Sequence, residues 1–271
     1  MNRFRYSLCL VVAIILTLSS IASAEEQAIE KGITWLTNTQ TKEGYWGEEE
    51  EVQYNSFVDT CTVVTTLKYL EKTGTIYTTA INWIDSIEVK NIDYLSQKIE
   101  ALIRAGRDVT SLLNSLVKSV NSDGGWSASE DFKVSDIKRT ALALRALSAA
   151  EYSDTKLIEN TVFYLLSQQN GDGGWGLGAA SSGQMAEGSV YLTSLVLLVL
   201  DNYKDQYNLH SRLYDGVLWF ANQQNADGGF GREGSGQGAE SSVWETALAY
   251  QALIRGQKEE GSGQRLRTLY S

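Results

Sequence analysis

Apolar residues recur at helical spacing through most of the chain, in two alternating kinds of segment. In one kind a single face is apolar, as with Ile158, Val162 and Leu165. In the other kind almost every position is apolar, as in the run 190–200. The first pattern predicts a helix with one face in water, and the second predicts a helix that is buried on most sides. Their alternation predicts an all-α protein with an outer and an inner layer of helices.

A short glycine-containing phrase separates most of these helix pairs, and glutamines precede three of its four copies. Its glycines allow the positive φ that ends one helix and reverses the chain. Its aspartates, among them Asp172 and Asp227, can accept hydrogen bonds from nearby amides. The glutamines are expected to satisfy the last carbonyls of the outer helix. We interpret the phrase as structural. Each copy ends in an aromatic residue, at Trp46, Trp126, Trp175 and Phe230.

The interval between the first two copies is long enough to hold one further, degenerate repeat. Residues 76–106 fill it with two helical patterns and no glycine phrase. The sequence therefore predicts about five helical hairpins, each made of an outer helix, a turn and an inner helix.

Residues 1–24 have the pattern of a signal peptide. Arg3 and Arg5 precede an apolar run at 8–18 that is too short to span a bilayer, and small residues end at Ala24. We expect cleavage after Ala24 and export to the periplasm, the cell surface or the extracellular space. An uncleaved anchor is the alternative.

The remaining chain divides into a repeat domain, 25–256, and a flexible polar tail, 257–271. Cleavage would leave Cys61 as the one cysteine, so no internal disulfide is expected. The formal net charge of −10 argues against nucleic acid as a partner. After signal cleavage we expect no transmembrane segment.

The phrase at 169–176 reads Gln-x-x-Asp-Gly-Gly-Trp-Gly. It resembles the glutamine-tryptophan repeats of squalene/terpene cyclases and of protein prenyltransferase β subunits, and the resemblance covers most of residues 26–255. It implies an α/α toroid, in which rings of inner and outer helices surround a central cavity. Complete rings of the family usually hold six or more hairpins. Five hairpins leave open a small ring, an open crescent or half of an assembly.

The cyclases carry an Asp-x-Asp-Asp-Thr-Ala phrase whose acid protonates an alkene. The nearest match is 136–141, where Asp136 is present but Lys138 and Arg139 replace the other two aspartates. An arginine cannot donate a proton to an alkene, and a neighbouring cation favours the ionised form of Asp136. This departure argues against cyclase chemistry.

Prenyltransferases hold zinc with an Asp-x-Cys pair and a distant histidine, and Asp59 and Cys61 have that spacing. The one histidine, His210, falls near the start of a predicted outer helix, so the third ligand is missing. We expect no metal and no cofactor. Asp59 is instead interpreted as a residue at a helix N-terminus and Cys61 as a small buried residue.

A duplicated Ala-Glu-x-Ser-Val segment places Glu187 and Glu240 at the predicted first turns of two inner helices. Carboxylates there stabilise a helix through its dipole. Alternatively they form an acidic rim with Asp59 and Glu245, with Arg139 as the lone cation. Inner-helix aromatic side chains either belong to the core or line an apolar pocket; they are Tyr191, Trp244 and Tyr250.

Two hypotheses of function remain. We expect a non-catalytic binding or scaffold module that holds an apolar small molecule or a protein partner in the cavity or on the concave face. The alternative is a squalene/terpene cyclase-like isomerase that acts on an isoprenoid with an atypical acid, such as Asp59 or Glu245. The altered acid motif and the export signal favour the first.

Overall fold

The computed structural model describes residues 26–47, 53–128, 133–176, 187–231 and 239–257. The predicted signal peptide lies outside the described residues, and so do residues 258–271 of the predicted tail. Both assignments, and the cleavage after Ala24, therefore stay predictions.

Within the described ranges the chain is helical apart from one short antiparallel pair of strands, which confirms the predicted all-α fold. The helices are α1 (26–39), α2 (Gln53–Tyr69), α3 (Thr75–Ser86), α4 (Ile92–Arg104), α5 (Thr110–Lys118), α6 (Ile137–Ala149), α7 (Thr155–Ser167), α8 (Val190–Leu200), α9 (Lys204–Tyr207), α10 (His210–Gln223) and α11 (Val243–Gln257). The strands are β1 (Phe230–Gly231) and β2 (Ser241–Ser242). In chain order the long helices follow the predicted alternation, and α3 and α4 fall within the stretch predicted to hold the degenerate repeat.

The chain forms two compact units, residues 1–86 and 87–271. In the first, α2 packs against α3. In the second, α4, α6, α8 and α11 pack each against the next and form the inner layer. Helix α5 packs against α4, and α7 packs against α6. Helix α10 packs against both α8 and α11.

Burial in the second unit follows the hydrophobic pattern. Ile158, Val162 and Leu165 on one face of α7 are buried, whereas Phe163 on another face is exposed. In α8 nearly every side chain is buried, as expected for an apolar helix between two inner neighbours and an outer one. None of the described helices has the length and apolarity needed to cross a membrane.

Each turn phrase is anchored by a threonine of the inner helix that follows it. The backbone N–H of the phrase's aromatic residue donates to the threonine Oγ1, for example from Trp175 to Thr193 at 2.9 Å. The same bond recurs in three other hairpins, from Trp46 to Thr60, Trp126 to Thr140 and Phe230 to Thr246. Because this amide follows a chain reversal and has no helical partner, the threonine prevents an unsatisfied buried donor.

The tryptophan side chains anchor the other side of the turn. The indole N–H of Trp175 donates to the carbonyl of Leu165 at 2.7 Å, which satisfies one of the last carbonyls of α7. Trp46 and Trp126 make the same bond to Leu36 and Leu116. The fourth copy, Phe230, has no side-chain donor and packs edge-to-face on Phe220 at a centroid distance of 5.6 Å.

The aspartates of the phrase bond to nearby amides as predicted. Asp172 Oδ1 accepts from Gly174 N at 3.0 Å. Asp227 Oδ1 accepts from Gly229 N at 2.9 Å, and this bond, followed by the one from the Ser241 hydroxyl, holds the pKa of Asp227 below its usual value.

The prediction for the glutamines was wrong. Gln169 Nε2 does not cap the carbonyls of its own helix; it donates to Gly173 O inside the turn at 2.8 Å and to Arg212 O of α10 at 2.9 Å. The second acceptor belongs to the next hairpin, so the glutamine joins two repeats rather than ending one helix.

Candidate functional site

Helices α4 and α6 bring together charged residues that lie far apart in the sequence. Asp93, in the first turn of α4, is buried, with 6% of its surface exposed. Its Oδ1 lies 3.1 Å from Lys138 Nζ, and its Oδ2 lies 3.0 Å from Arg139 Nε. Both cations stand where the cyclase phrase has aspartates, so the cyclase-like stretch meets a carboxylate from the neighbouring inner helix.

Asp136 caps the N-terminus of α6 and completes this group. Its Oδ1 accepts from Arg139 N at 2.9 Å, and its Oδ2 lies 2.6 Å from Arg139 Nη1. Burial lowers the pKa of Arg139, but the hydrogen bond to Asp136 and the negative charges of Asp93 and Asp136 outweigh it and raise that pKa. Arg139 therefore stays charged and bridges two carboxylates.

A second set of ion pairs lies two helical turns further along the same two helices. Glu100 of α4, also buried, pairs with Arg145 of α6 at 2.8 Å and with Arg104 of its own helix at 2.9 Å. Because Glu100 follows Asp93 by two turns, as Arg145 follows Lys138, each helix presents both members on one face. We call the residues Asp93, Glu100, Arg104, Asp136, Lys138, Arg139 and Arg145 the charge ladder.

The charge ladder corrects one prediction and adds residues that sequence reasoning missed. Arg139 is not the lone cation of this region, because Lys138, Arg145 and Arg104 accompany it. A signal for this was present in the sequence: two consecutive inner helices carry opposite charges at matching two-turn spacings.

Tyr191 lies on α8, the inner helix that packs against α6. Burial raises the pKa of the Tyr191 phenol, while the positive charges of Lys138 and Arg145 oppose that rise. Of the predicted site residues, Asp136 and Arg139 are therefore in direct contact, and Tyr191 lies within reach of the charges of Lys138 and Arg145.

The prediction that Glu187 and Glu240 lie in the first turns of inner helices was wrong. Helix α8 begins at Val190 after its cap Ser189, and α11 begins at Val243 after β2. Both glutamates are exposed and precede the helices. Each helix begins three residues after its glutamate, so both carboxylates lie outside the helices.

Glu245 does lie in the first turn of α11 and is buried, with 4% of its surface exposed. Its Oε2 accepts a hydrogen bond from the Ser242 hydroxyl. The aromatic residues of the same helix are more open: Trp244 is 54% exposed and Tyr250 is 44% exposed.

Asp59 and Cys61 belong to the first unit, on α2. Asp59 lies in the second turn of a helix that begins at Gln53, so the interpretation as a helix N-terminal residue was wrong. Asp59 is exposed, whereas Cys61 is buried as expected. Across the described residues, His, Cys, Asp and Glu side chains form no group of three placed to bind a metal.

The second unit also contains a cleft of about 430 Å³. It is formed by the second turn phrase and one face of α7, and is lined by Ser122, Asp123, Asn160, Phe163, Tyr164, Ser167 and Gln168. Burial raises the pKa of the Tyr164 phenol, and the charges of Asp123 and Asp136 raise it further. None of the predicted site residues lines this cleft.

Asp93→Asn tests the charge ladder. Removing the charge leaves Lys138 and Arg139 partly buried with one counterion fewer, and we expect the free energy of unfolding to fall by about 1–3 kcal/mol. Urea denaturation measures it. The matched control is Glu88→Gln, which breaks the exposed Glu88–Lys90 pair and should cost less than about 0.5 kcal/mol. Equal losses for the two variants would mean that the ladder contributes no more than a surface pair.

Comparison with known proteins identifies the family. The profile described as the prenyltransferase alpha-alpha toroid domain matches residues 5–234 and again residues 108–268. The chain belongs to this family. The two overlapping matches reflect the internal repeats of the toroid domain. Among curated proteins, a search found no significant match.

Solved structures show the same toroid fold at low sequence identity. A protein from Actinoplanes matches with 17% identity and a TM-score of 0.63, over 90% of this chain and 78% of its own. An ent-copalyl diphosphate synthase from Streptomyces platensis matches with 19% identity and a TM-score of 0.60, over 79% of this chain. Protein geranylgeranyltransferase-I from Candida albicans, complexed with GGPP, matches with 19% identity and a TM-score of 0.50, over 63% of this chain. The toroid matched here spans 42% and 50% of these two enzymes.

Proposed function

We propose that this toroid protein is an exported, non-catalytic binding module that holds an apolar small molecule of isoprenoid type. The observation that carries the proposal is the charge ladder at the start of α6. The stretch that resembles the cyclase acid motif presents two cations there, and both are paired with Asp93.

Alkene protonation needs a carboxylic acid that holds its proton until the substrate arrives. The two carboxylates nearest this stretch, Asp93 and Asp136, are each in direct contact with the Arg139 guanidinium, at 3.0 Å and 2.6 Å. Helix α6 therefore presents ion-paired cations where a cyclase presents an acid.

The choice of ligand class rests on the family. The solved toroid from Candida albicans was complexed with GGPP, a prenyl diphosphate. A module that has the toroid fold but not the alkene-protonating acid is suited to binding a related isoprenoid without converting it. A protein partner on the same fold is the other form that a binding role can take.

One observation favours the second candidate, a cyclase-like isomerase with an atypical acid. Glu245 is buried in the first turn of α11 and accepts a hydrogen bond from the Ser242 hydroxyl, so the inner layer of the second unit does contain a carboxyl group outside the charge ladder. If catalysis occurs, Glu245 in the second unit and Asp59 in the first are the carboxylates to replace.

The test begins with the protein purified from its producing host. Organic extraction followed by mass spectrometry is expected to recover an apolar molecule at close to one per chain. Incubation with squalene and with shorter isoprenoids is expected to return each substrate unchanged. An isomer with the substrate's mass and a new retention time would overturn the binding-module proposal.

Variants decide what an isomer would mean. Glu245→Gln and Asp59→Asn should leave ligand recovery unchanged if the protein only binds. Loss of product in Glu245→Gln, with product retained in Asp59→Asn, would assign the acid to Glu245. A protein that carries no molecule and converts nothing would point to a protein partner, which pull-down from the exported fraction would identify.

Export is the part of the proposal that depends on residues 1–24. The intact mass of the recovered protein is expected to correspond to residues 25–271. A mass that includes residues 1–24 would contradict cleavage, and recovery from the cytosol alone would contradict export.

A further inference from the structure

The turn phrases serve as docking sites for the outer helix of the next hairpin. In the first phrase, Gln40 Nε2 donates to Ile76 O of α3 at 2.8 Å. In the third, Gln169 Nε2 donates to Arg212 O of α10 at 2.9 Å. Each glutamine thus holds a backbone carbonyl near the start of the incoming helix.

A glycine in the phrase makes room for a second carbonyl of the same incoming helix. A Cβ on Gly173 would lie 2.3 Å from Asp215 O of α10. The corresponding glycines of the first two phrases behave alike: a Cβ would lie 2.7 Å from Thr79 O at Gly44 and 2.7 Å from Asn160 O at Gly124. Side chains at these positions are excluded because the next helix occupies the space.

An aromatic residue one turn further along each incoming helix completes the contact. Trp219 of α10 donates its indole N–H to Asp172 Oδ2 at 3.2 Å. Trp83 of α3 packs on Tyr45 of the first phrase at a centroid distance of 4.9 Å. Tyr164 of α7 lies close enough to Asp123 of the second phrase for that charge to raise the pKa of its phenol, after burial as the larger cause.

The last phrase has the docking features but no described helix in the docked position. Gly228 has φ +85°, as its counterparts have positive φ, yet a Cβ there would meet nothing within 4 Å. Gln224 Nε2 donates to Gly228 O and also to the Tyr250 hydroxyl, at 3.2 Å, where Gln40 and Gln169 donate to a helix carbonyl. Asp227 is exposed and accepts both of its side-chain bonds through Oδ1.

The first outer helix has the complementary feature. Trp35 of α1 precedes Trp46 by the same interval that separates Trp219 from Phe230 and Tyr164 from Trp175. It is 64% exposed, and its indole N–H makes no hydrogen bond within the described residues. In α5, which follows no glycine phrase, the equivalent residue is Ser115. An aromatic residue at this position is therefore found in the outer helices that dock on a turn phrase. Helix α1 carries such a residue, Trp35, although α1 follows no turn phrase.

We propose that α1 of one copy of this chain docks on the last turn phrase of a second copy, so that the protein assembles head to tail. Gln224 and Gly228 receive the backbone of the first turns of α1, and the Trp35 ring lies beside Asp227. After the third phrase, Gly188 leaves space for the Trp219 ring. The corresponding position holds Ser241 after the last phrase and Ser135 after the second. The Trp35 ring therefore lies where Tyr164 lies on the second phrase. The contact is heterologous, since different surfaces meet, and repeats along a chain of copies.

Two variants each remove one side of this contact without entering the core. Trp35→Ala removes the exposed ring. Gly228→Asn fills the space for the incoming carbonyl with a residue that tolerates positive φ. Each should raise the dissociation constant of self-association at least about 30-fold, the loss typical of an interface tryptophan. Matched controls are Tyr69→Ala, an exposed aromatic on α2, and Gly106→Asn, at an open glycine with φ +75°.

Sedimentation velocity of the full chain over a range of concentrations gives the result. The unsubstituted protein and both controls should form species that grow with concentration, while Trp35→Ala and Gly228→Asn should stay monomeric with unchanged circular dichroism. A mixture of the two variants retains one intact pair of surfaces and should give dimers and nothing larger. An unsubstituted protein that stays monomeric, or a mixture that gives no dimer, would overturn the proposal. Neither outcome depends on the ligand proposed above.

Discussion

Gly173→Ala is expected to lower the free energy of unfolding by about 2–5 kcal/mol. An alanine at φ +97° costs about 1–2 kcal/mol, because its Cβ crowds the following carbonyl oxygen. The new Cβ would also lie 2.3 Å from Asp215 O, and relieving that overlap requires α10 to shift, at about 1–3 kcal/mol. Urea denaturation followed by circular dichroism measures the loss.

Gly228→Ala separates the two causes. Its φ is +85°, so the backbone cost is similar, but the added Cβ meets nothing within 4 Å. We expect a loss of about 1–2 kcal/mol, measured at protein concentrations low enough for the monomer. If both alanines destabilised the protein equally, the close approach of α10 would contribute nothing and backbone conformation alone would explain the glycine pattern.

Trp175→Ala is expected to lower the free energy of unfolding by about 3–5 kcal/mol. The ring is fully buried, so its removal leaves a cavity between α7, α8 and α10 that rigid helices fill only in part. The loss also leaves Leu165 O without the indole donor that now lies 2.7 Å away. This is a large share of the stability of an ordinary domain, about 5–15 kcal/mol, and the urea midpoint should fall accordingly.

Trp175→Phe keeps a ring and removes only the N–H and part of the volume. We expect a smaller loss, about 1–2 kcal/mol, from the lost hydrogen bond and the smaller ring, because Leu165 O still accepts from Gln168 N at 3.2 Å. The chain itself uses phenylalanine in the fourth phrase, where Phe230 is fully buried without a side-chain hydrogen bond. If the phenylalanine variant were as unstable as the alanine variant, the hydrogen bond rather than the packed ring would be the main contribution of Trp175.

The charge ladder shows how far sequence reasoning reached toward the candidate site. Cations at 138 and 139 were visible in the sequence and already argued against an alkene-protonating acid. Their partner Asp93 was not, because it lies on another helix, more than forty residues earlier, in a stretch without a recognisable motif. Its negative charge explains how two adjacent cations are accommodated among packed inner helices.

The glutamines show the same limit from within a recognised motif. Their position at the end of each outer helix led to the prediction that they cap that helix. In the structure Gln40 and Gln169 instead join their own turn to the next outer helix. Nothing in the local sequence distinguishes the two roles, because the carbonyl acceptors are backbone atoms and any residue supplies them.

The sequence by itself determined the local features of this protein: the periodic helices, their outer or inner character, the glycine turns and the short-range bonds of Asp172 and Asp227 to amides two residues away. These features depend on neighbours along the chain, so spacing and residue type are sufficient to predict them. The tertiary structure decided which outer helix packs on each turn phrase and where Glu187 and Glu240 lie relative to the helices. It also decided which carboxylates form ion pairs with Lys138, Arg139 and Arg145. Those features depend on loop lengths and on contacts between distant residues, and helical periodicity carries no information about either.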